Sequence, residues 1–274
     1  MKIIILGSQG MAGHIITHYL KSINKYNIIT IARRNANYII DIEKNLNELY
    51  DIIIEENADI IINCIGLLIK DSKKNIKRAI FINTLFPHWL EKITKNTKTK
   101  IIHLSTDCIF DGTKGNYSET DIPTEKNNYG KTKAAGEINN TKDLTLRLSI
   151  IGTEIKENGT GLLHWFLHQK GEIKGFTNCI WNGITTLELA KVIHYIIKNN
   201  ISLSGIYHLV PDFHISKYKL LCLIKKIWNK TDVTILEEPN FYQNKTLINN
   251  RKQELKYIFP NYCQQLKELY EYTK

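Results

Sequence analysis

A glycine motif set between a β-branched run and an amphipathic stretch constrains this chain more than any other feature. Residues 2–6, Lys-Ile-Ile-Ile-Leu, read as a short buried strand that stops at Gly7. Gly7-Ser8-Gln9-Gly10-Met11-Ala12-Gly13 follows, and apolar residues recur with helical spacing at Met11, Ile15, Ile16, Tyr19, Leu20 and Ile23. In a strand–turn–helix context the glycines have separate uses. Gly7 permits the sharp turn, Gly10 lets the backbone approach a pyrophosphate, and Gly13 lets the helix pack closely on the sheet. The helix start then offers free N–H groups to phosphates. Gln9 and Met11 share this turn, so Gly7, Gln9, Gly10, Met11 and Gly13 are candidate dinucleotide contacts.

The alternation continues. Strands are expected at 27–32, 59–64, 101–105 and 144–149, with helices near 43–56, 76–95 and 127–140. Strands alternating with helices imply right-handed βαβ units and a parallel sheet. The expected fold is therefore α/β, a Rossmann-type doubly wound parallel sheet over residues 1–150. A smaller C-terminal α/β region, 151–274, packs on its C-terminal edge and binds substrate. In that region helices are expected at 161–170, 185–199, 216–229 and 263–273, an extended segment at 172–181 and a strand at 205–210.

An NAD-preferring site places an acid at the end of the second strand. Here Ala32-Arg33-Arg34 stands there. Arginine pairs with a 2′-phosphate and an acid repels it, so NADPH is expected over NADH. Asp41 and Ile42 follow another short strand and could frame the adenine. Cys64, Ile65 and Gly66 end the next strand and should pass near the ribose and nicotinamide.

The stretch 101–137 carries the chemistry. Tyr129 and Lys133 form a Tyr-x-x-x-Lys, which on a helix places both on one face. An ammonium beside a phenol stabilises phenolate and lowers its pKa toward the working range. Thr106 lies just past the carboxyl end of a strand, where open parallel sheets bind ligands, and can hydrogen-bond a carbonyl beside Tyr129.

Composition narrows the partners. The formal net charge is +10 and favours acidic ligands. No zinc-finger, basic-zipper or RNP-type pattern accompanies it, so nucleic acid is not expected. Five cysteines, none in Cys-x-x-Cys spacing, argue against a disulfide framework or a structural zinc site. No apolar run approaches the roughly 20 residues of a membrane span, and the N-terminal run is too short for a signal peptide. A cytoplasmic protein with no metal is expected. Lys70, Lys73, Lys74, Lys77 and Arg78 read as a solvated helix face. His164 and His168 have the spacing of a zinc-protease helix but not its glutamate.

The glycine motif, Ser105-Thr106-Asp107 with Phe110-Asp111-Gly112, Tyr129 through Glu137, Leu146 through Gly152 and Gly205 through Leu209 together span nearly the whole chain. In these stretches the sequence resembles the extended short-chain dehydrogenase/reductases, and within them the dTDP-4-dehydrorhamnose reductase group. The resemblance implies that Thr106, Tyr129 and Lys133 are the catalytic trio. It implies that NADPH delivers hydride to C4 of a nucleotide-diphosphate sugar, and that Asn83 supports the lysine through water at the cofactor site. Leu68, Thr106, Asp107, Cys108 and Asn178 are then expected to line the sugar pocket. Cys64 through Leu68 replace an often Ala-rich stretch, and Cys108 stands where an aromatic residue is common. These departures bring the chain closer to reductases of UDP-2-acetamido-2,6-dideoxy-hexos-4-uloses. Some relatives also invert C3. A homodimer would be the common arrangement for such an enzyme. The competing expectations are a non-catalytic cofactor-binding subunit, because the regulatory subunit of methionine adenosyltransferase shares this fold, and an epimerase or dehydratase. Stoichiometric NADPH oxidation distinguishes a reductase from all three.

Overall fold

The computed structural model describes residues 1–274. Its first part runs β1 (Lys2–Leu6), α1 (Met11–Ser22), β2 (Asn27–Ala32), β3 (Tyr38–Ile39), α2 (Leu46–Glu56) and β4 (Ile60–Asn63). Next come α3 (Ile69–Lys74), α4 (Ile76–Ile80), a π-helical turn (Phe81–Leu85) and α5 (Phe86–Thr94). Then follow β5 (Lys100–Leu104), α6 (Asn128–Ala135) and β6 (Leu144–Arg147). The second part runs β7 (Ile150–Ile151), α7 (Leu162–Leu167), β8 (Gly171–Phe176), β9 (Cys179–Trp181), β10 (Ile184–Thr185) and α8 (Thr186–Lys198). It ends with β11 (Gly205–His208), β12 (Ile215–Ser216), α9 (Lys217–Ile227), β13 (Val233–Glu238), β14 (Gln243–Asn244) and α10 (Tyr262–Tyr272).

Seven strands form one sheet in the order β11-β6-β5-β4-β1-β2-β3, and every pair is parallel. The chain leaves β1 to one side for β2 and β3 and returns on the other side at β4. The crevice beyond the carboxyl ends of β1 and β4 is therefore the switch point at which open α/β sheets bind ligands. Alternation along β1 shows why the strands read as unbroken apolar runs. Ile3 and Ile5 enter a core with Ile15, Ile16 and Leu20 of α1 and Ile193 of α8, whereas Ile4 and Leu6 enter another with Leu49 of α2 and Phe86 and Leu90 of α5. Both faces are covered, so neither needs polar residues.

The core crosses the boundary expected at residue 150. β11 joins the central sheet beside β6, and α8 and α10 pack in the same core as α1. The remaining strands form small sheets of their own, β12-β9-β14 and β13-β8 among them.

Three local differences from expectation have physical causes. The helix expected over 127–140 ends at Ala135, because Gly136 lies so close to the Asn83 carbonyl that a Cβ there would overlap it. The helix expected over 76–95 is interrupted by the π-helical turn, which carries Asn83 into the interior. π-Bulges of this kind recur at functional sites. The extended segment 172–181 is two strands, β8 and β9, broken at Thr177 and Asn178.

A buried ion pair ties α6 to the sheet. Arg147, at the end of β6, gives Nε to Glu137 Oε1 and Nη2 to Glu137 Oε2, both at 2.8 Å. The two side chains are 4% and 5% exposed. Ser105 Oγ donates to the same carboxylate at 2.6 Å. Losing one partner of a buried pair leaves the other charge uncompensated and costs about 3–5 kcal/mol. Glu137→Gln should accordingly lower unfolding free energy by about 3 kcal/mol in urea titration, and a change below about 0.5 kcal/mol would show that the pair does not hold α6.

Candidate active site

The turn after β1 is built as the glycine spacing predicts. Gly7 takes φ +75°, and a Cβ there would sit 3.2 Å from the Cys64 carbonyl carbon. A Cβ at Gly13 would overlap the Gly7 carbonyl, which is how closely α1 packs on the turn. No side chain caps α1, so the N–H groups of its first turn are left for a ligand. Ser8 Oγ is buried here without a partner. Gln9 folds outward and donates to Asn35 O at 2.8 Å. The Met11 side chain lies against Gly161 instead of lining the cavity.

A cavity of about 860 Å³ opens from this turn. Gly7, Gln9, Gly10, Arg33, Arg34, Asp41, Ile42, Cys64, Ile65 and Gly66 all line it, so most of the expected cofactor contacts converge. Arg33 and Arg34 are exposed on its wall and form no ion pair, whereas neighbouring Arg78 is held by Glu43 at 2.7 Å. Arg78 thus does more than the solvated face expected of its cluster. Residues 155–158, which sequence reasoning did not mark, close the cavity from the second half of the chain. The uncapped helix, the orphaned hydroxyl and the unpaired arginines fit a dinucleotide carrying a 2′-phosphate.

Cys64, in the cavity lining, lies near Lys133 of the expected trio. Asn127 caps α6 by accepting from Gly130 N at 2.9 Å, and the helix presents Tyr129 and Lys133 one turn apart. Lys133 is buried and donates Nζ to Leu104 O at 2.7 Å. Burial pushes its pKa down to about 8, against the opposing pull of Glu137 and Cys64. The Thr106 hydroxyl lies beside the Tyr129 phenol and favours its ionised form. Burial outweighs this, and the phenol pKa moves up, with Cys108 and Asp107 adding to the rise. The expected lowering by Lys133 is absent, because the ammonium is turned to the Leu104 carbonyl. Thr106 also accepts from Cys108 N at 3.1 Å, fixing the loop beyond β5. Cys64 and Cys108 are both pushed up to about 12 by burial, so neither is a thiolate. His103 is held well below its usual range by burial and the Lys133 charge, and is neutral.

Asn83 is buried in the interior. Its Oδ1 accepts from Leu67 N at 2.7 Å, and Nδ2 donates to Leu67 O and Thr132 Oγ1, each at 3.1 Å. The amide clamps the loop after β4 to the residue beside Lys133. Leu68 is 46% exposed and opens α3, at the rim beside Leu67. Asp107 and Cys108 join the trio, and Asp107 is buried with its carboxyl pKa raised by desolvation. Asn178 is not brought to them: it is exposed, and its amide donates to Pro239 O at 2.8 Å.

Two lysines near Asp107 escaped sequence reasoning. Lys217 and Lys245 both act on the Asp107 carboxyl, from α9 and from the residue after β14. Lys245 pairs with Glu125 at 2.8 Å, which tethers the C-terminal region to the approach of α6. Neither lysine sits in a motif. The pairing that brings them in, β9 with β12 and with β14, joins segments far apart in the chain.

The sequence profile of the RmlD substrate binding domain matches residues 1–246. The dTDP-4-dehydrorhamnose reductase of Aggregatibacter actinomycetemcomitans is 29% identical over 138 residues, which cover 50% of this chain and 45% of that protein. Methionine adenosyltransferase 2 subunit beta of Xenopus laevis is 26% identical over 162 residues, covering 55% and 48%. The chain spans about half the length of these curated relatives. Among solved structures, dTDP-4-dehydrorhamnose reductase from Bacillus anthracis str. Ames in complex with NADP matches with a TM-score of 0.84 at 22% identity. That match covers 100% of this chain and 99% of the other. UDP-glucose 4-epimerase from Thermotoga maritima matches with a TM-score of 0.79 at 17% identity, covering 100% and 98%. The structural likeness is one of fold, and the profile match takes in most of the 274 residues. The chain belongs to the RmlD substrate binding domain family.

Proposed function

We propose that the chain is an NADPH-dependent reductase that turns the C4 ketone of a nucleotide-diphosphate-linked 4-keto-6-deoxyhexose into an alcohol. The observation that carries this reading is a glycine-turned cavity with two unpaired arginines on its wall and Cys64 in its lining, with buried Lys133 near Cys64 and, one helical turn away, Tyr129 beside Thr106. The relatives support it, since two are named dTDP-4-dehydrorhamnose reductase and dTDP-4-keto-6-deoxy-D-glucose reductase, and the Bacillus anthracis structure holds NADP.

NADPH supplies a hydride when bound. Gly7 through Gly13 would hold its diphosphate, Arg33 and Arg34 its 2′-phosphate, Asp41 and Ile42 its adenine, and Cys64 through Gly66 its nicotinamide side. The rest is done by side chains of this chain. Thr106 donates to the ketone oxygen and orients it. Tyr129, kept protonated by burial, gives its proton to that oxygen as negative charge develops there. The phenolate left behind needs a cation, and the protonated Lys133 one turn away would supply it by turning from the Leu104 carbonyl toward the phenol. The carrier is UDP or dTDP: the departures at Cys64 through Leu68 and at Cys108 favour a 2-acetamido sugar, and the names of the two reductase relatives carry dTDP. A 3-epimerase/4-reductase would also oxidise one NADPH per sugar and would additionally exchange the C3 hydrogen with solvent. The likeness to methionine adenosyltransferase 2 subunit beta favours a second reading, a regulatory subunit that binds NADPH and leaves it unoxidised.

Mixing the protein with NADPH and UDP- and dTDP-linked 4-keto sugars should oxidise one NADPH per sugar reduced, followed by absorbance. Tyr129→Phe should lower kcat by about 10²- to 10⁴-fold while NADPH affinity changes less than about twofold; a wild-type rate would refute the trio. Replacing Arg33 and Arg34 together by Ala should weaken NADPH by about tenfold or more and leave NADH nearly unchanged, as read by fluorescence titration. The pH profile follows from Lys133. Its pKa is depressed to about 8, so its charge is complete below that value and lost above it. kcat/KM should be flat below about pH 8 and fall roughly tenfold per unit above it, and a profile flat to pH 10 would remove Lys133 from the step.

A further inference from the structure

The segment between β7 and α7 is fastened at both ends to the turn that opens α1. At its start Thr153 Oγ1 lies 3.4 Å from His14 Nε2, and His14 Nδ1 donates to Gly10 O at 2.8 Å. At its end Gly161, the cap of α7, lies so close to the Met11 side chain that a Cβ there would overlap Met11 Cε. Glu154 Oε2 accepts from Gly161 N at 2.6 Å and draws the two ends together. Residues 155–158 are left as an exposed tip. All four line the cavity of about 860 Å³, together with Gly7, Gln9 and Gly10.

The fastening decides which part of a ligand the tip can reach. Gly10, Met11 and His14 belong to the uncapped start of α1, and a helix start of this kind takes the diphosphate of a dinucleotide. Arg33 and Arg34 follow β2 instead, where the 2′-phosphate is expected. The tip carries one cation, Lys156, which is exposed and forms no ion pair. It also carries Glu157, whose charge opposes an anion. Neutralising Lys156 would therefore leave an acid alone at the phosphates. Glu154 is not part of that balance, because its carboxylate is held by Gly161 N. Ile155 is 50% exposed in the cavity lining, an apolar side chain that a bound ligand would cover.

We propose that residues 155–158 are a clasp over the bound dinucleotide, in which Lys156 pairs with the cofactor's diphosphate. The inference rests on the reductase reading for the identity of the ligand and on the fastening of the loop for its place. It gives the second half of the chain a direct hold on the cofactor. It also separates two kinds of cation around one cavity. Arg33 and Arg34 act on a phosphate that only NADPH has, whereas Lys156 acts on a group that NADPH and NADH share.

The test titrates the full chain with NADPH and with NADH, followed by fluorescence. Lys156→Gln should weaken both by the same factor, about threefold or more. Lys156→Arg should keep both affinities within about twofold of wild type. Saturating NADPH should also slow cleavage after Glu157 by a glutamate-specific protease about threefold or more, read by mass spectrometry. Unchanged affinity for both dinucleotides in Lys156→Gln overturns the clasp and leaves the reductase reading standing, as does cleavage that NADPH does not slow. A loss confined to NADPH overturns it too, since it would place Lys156 on the 2′-phosphate. Lys156-dependent binding of both dinucleotides, with no turnover of any nucleotide-linked 4-keto sugar, would instead sink the reductase reading and leave the clasp in place.

Discussion

The bidentate contact between Arg147 and Glu137 joins the pieces of chain from which the active site is assembled. Glu137 lies just past the end of α6, which carries Tyr129 and Lys133, and Arg147 ends β6. Ser105 donates to the same carboxylate, so the residue before Thr106 is fixed to that node. Arg147 reaches further. Nη1 donates to Glu119 O and to His208 Nε2, and His208 Nδ1 donates to Ile248 O. One guanidinium thereby links the end of α6, the loop after β5 and the C-terminal segment. A buried ion pair contributes little net stability once desolvation is counted, and its value here is geometric. On the proposed reading, Thr106 and Tyr129 reach one carbonyl only if their two elements keep a fixed separation.

On the proposed reading, burial acts on Tyr129 and Lys133 in a direction that suits reduction. Desolvation disfavours charge, so it keeps the proton on Tyr129 and loosens the proton on Lys133. A general acid must hold its proton until the oxygen it serves becomes basic, and a raised phenol pKa secures that. The cation is needed only afterwards, when phenolate forms. Lys133 rests on the Leu104 carbonyl, and Glu137 offsets part of its desolvation. The ion pair that positions the helix therefore also helps Lys133 stay charged near neutral pH.

The central strands and the glycine turn were legible in the sequence because both are local. A β-branched run buried on two faces has no other reading, and Gly13 against Gly7 is a contact between near neighbours in the chain. The placement of Tyr129 and Lys133 one turn apart on α6 was legible for the same reason. The sign of the phenol shift was not, since it depends on which way the lysine turns and on how dry the loop is. The π-helical turn was invisible because its cause is a tertiary one, the fit of Asn83 between Leu67 and Thr132. Lys217 opens an amphipathic helix in which any lysine reads as solvated. Only the pairing of β12 with β9 sets it over Trp181. β13 and β14 were missed outright, since short strands in a polar tail carry no strong period.

On the proposed reading, the 2′-phosphate of the cofactor is met in open water. Arg33 and Arg34 are exposed, and charges in water act through long-range attraction that salt screens within about 8–10 Å. They suit a cofactor that must enter and leave each cycle, and they add to the +10 balance that draws anions in.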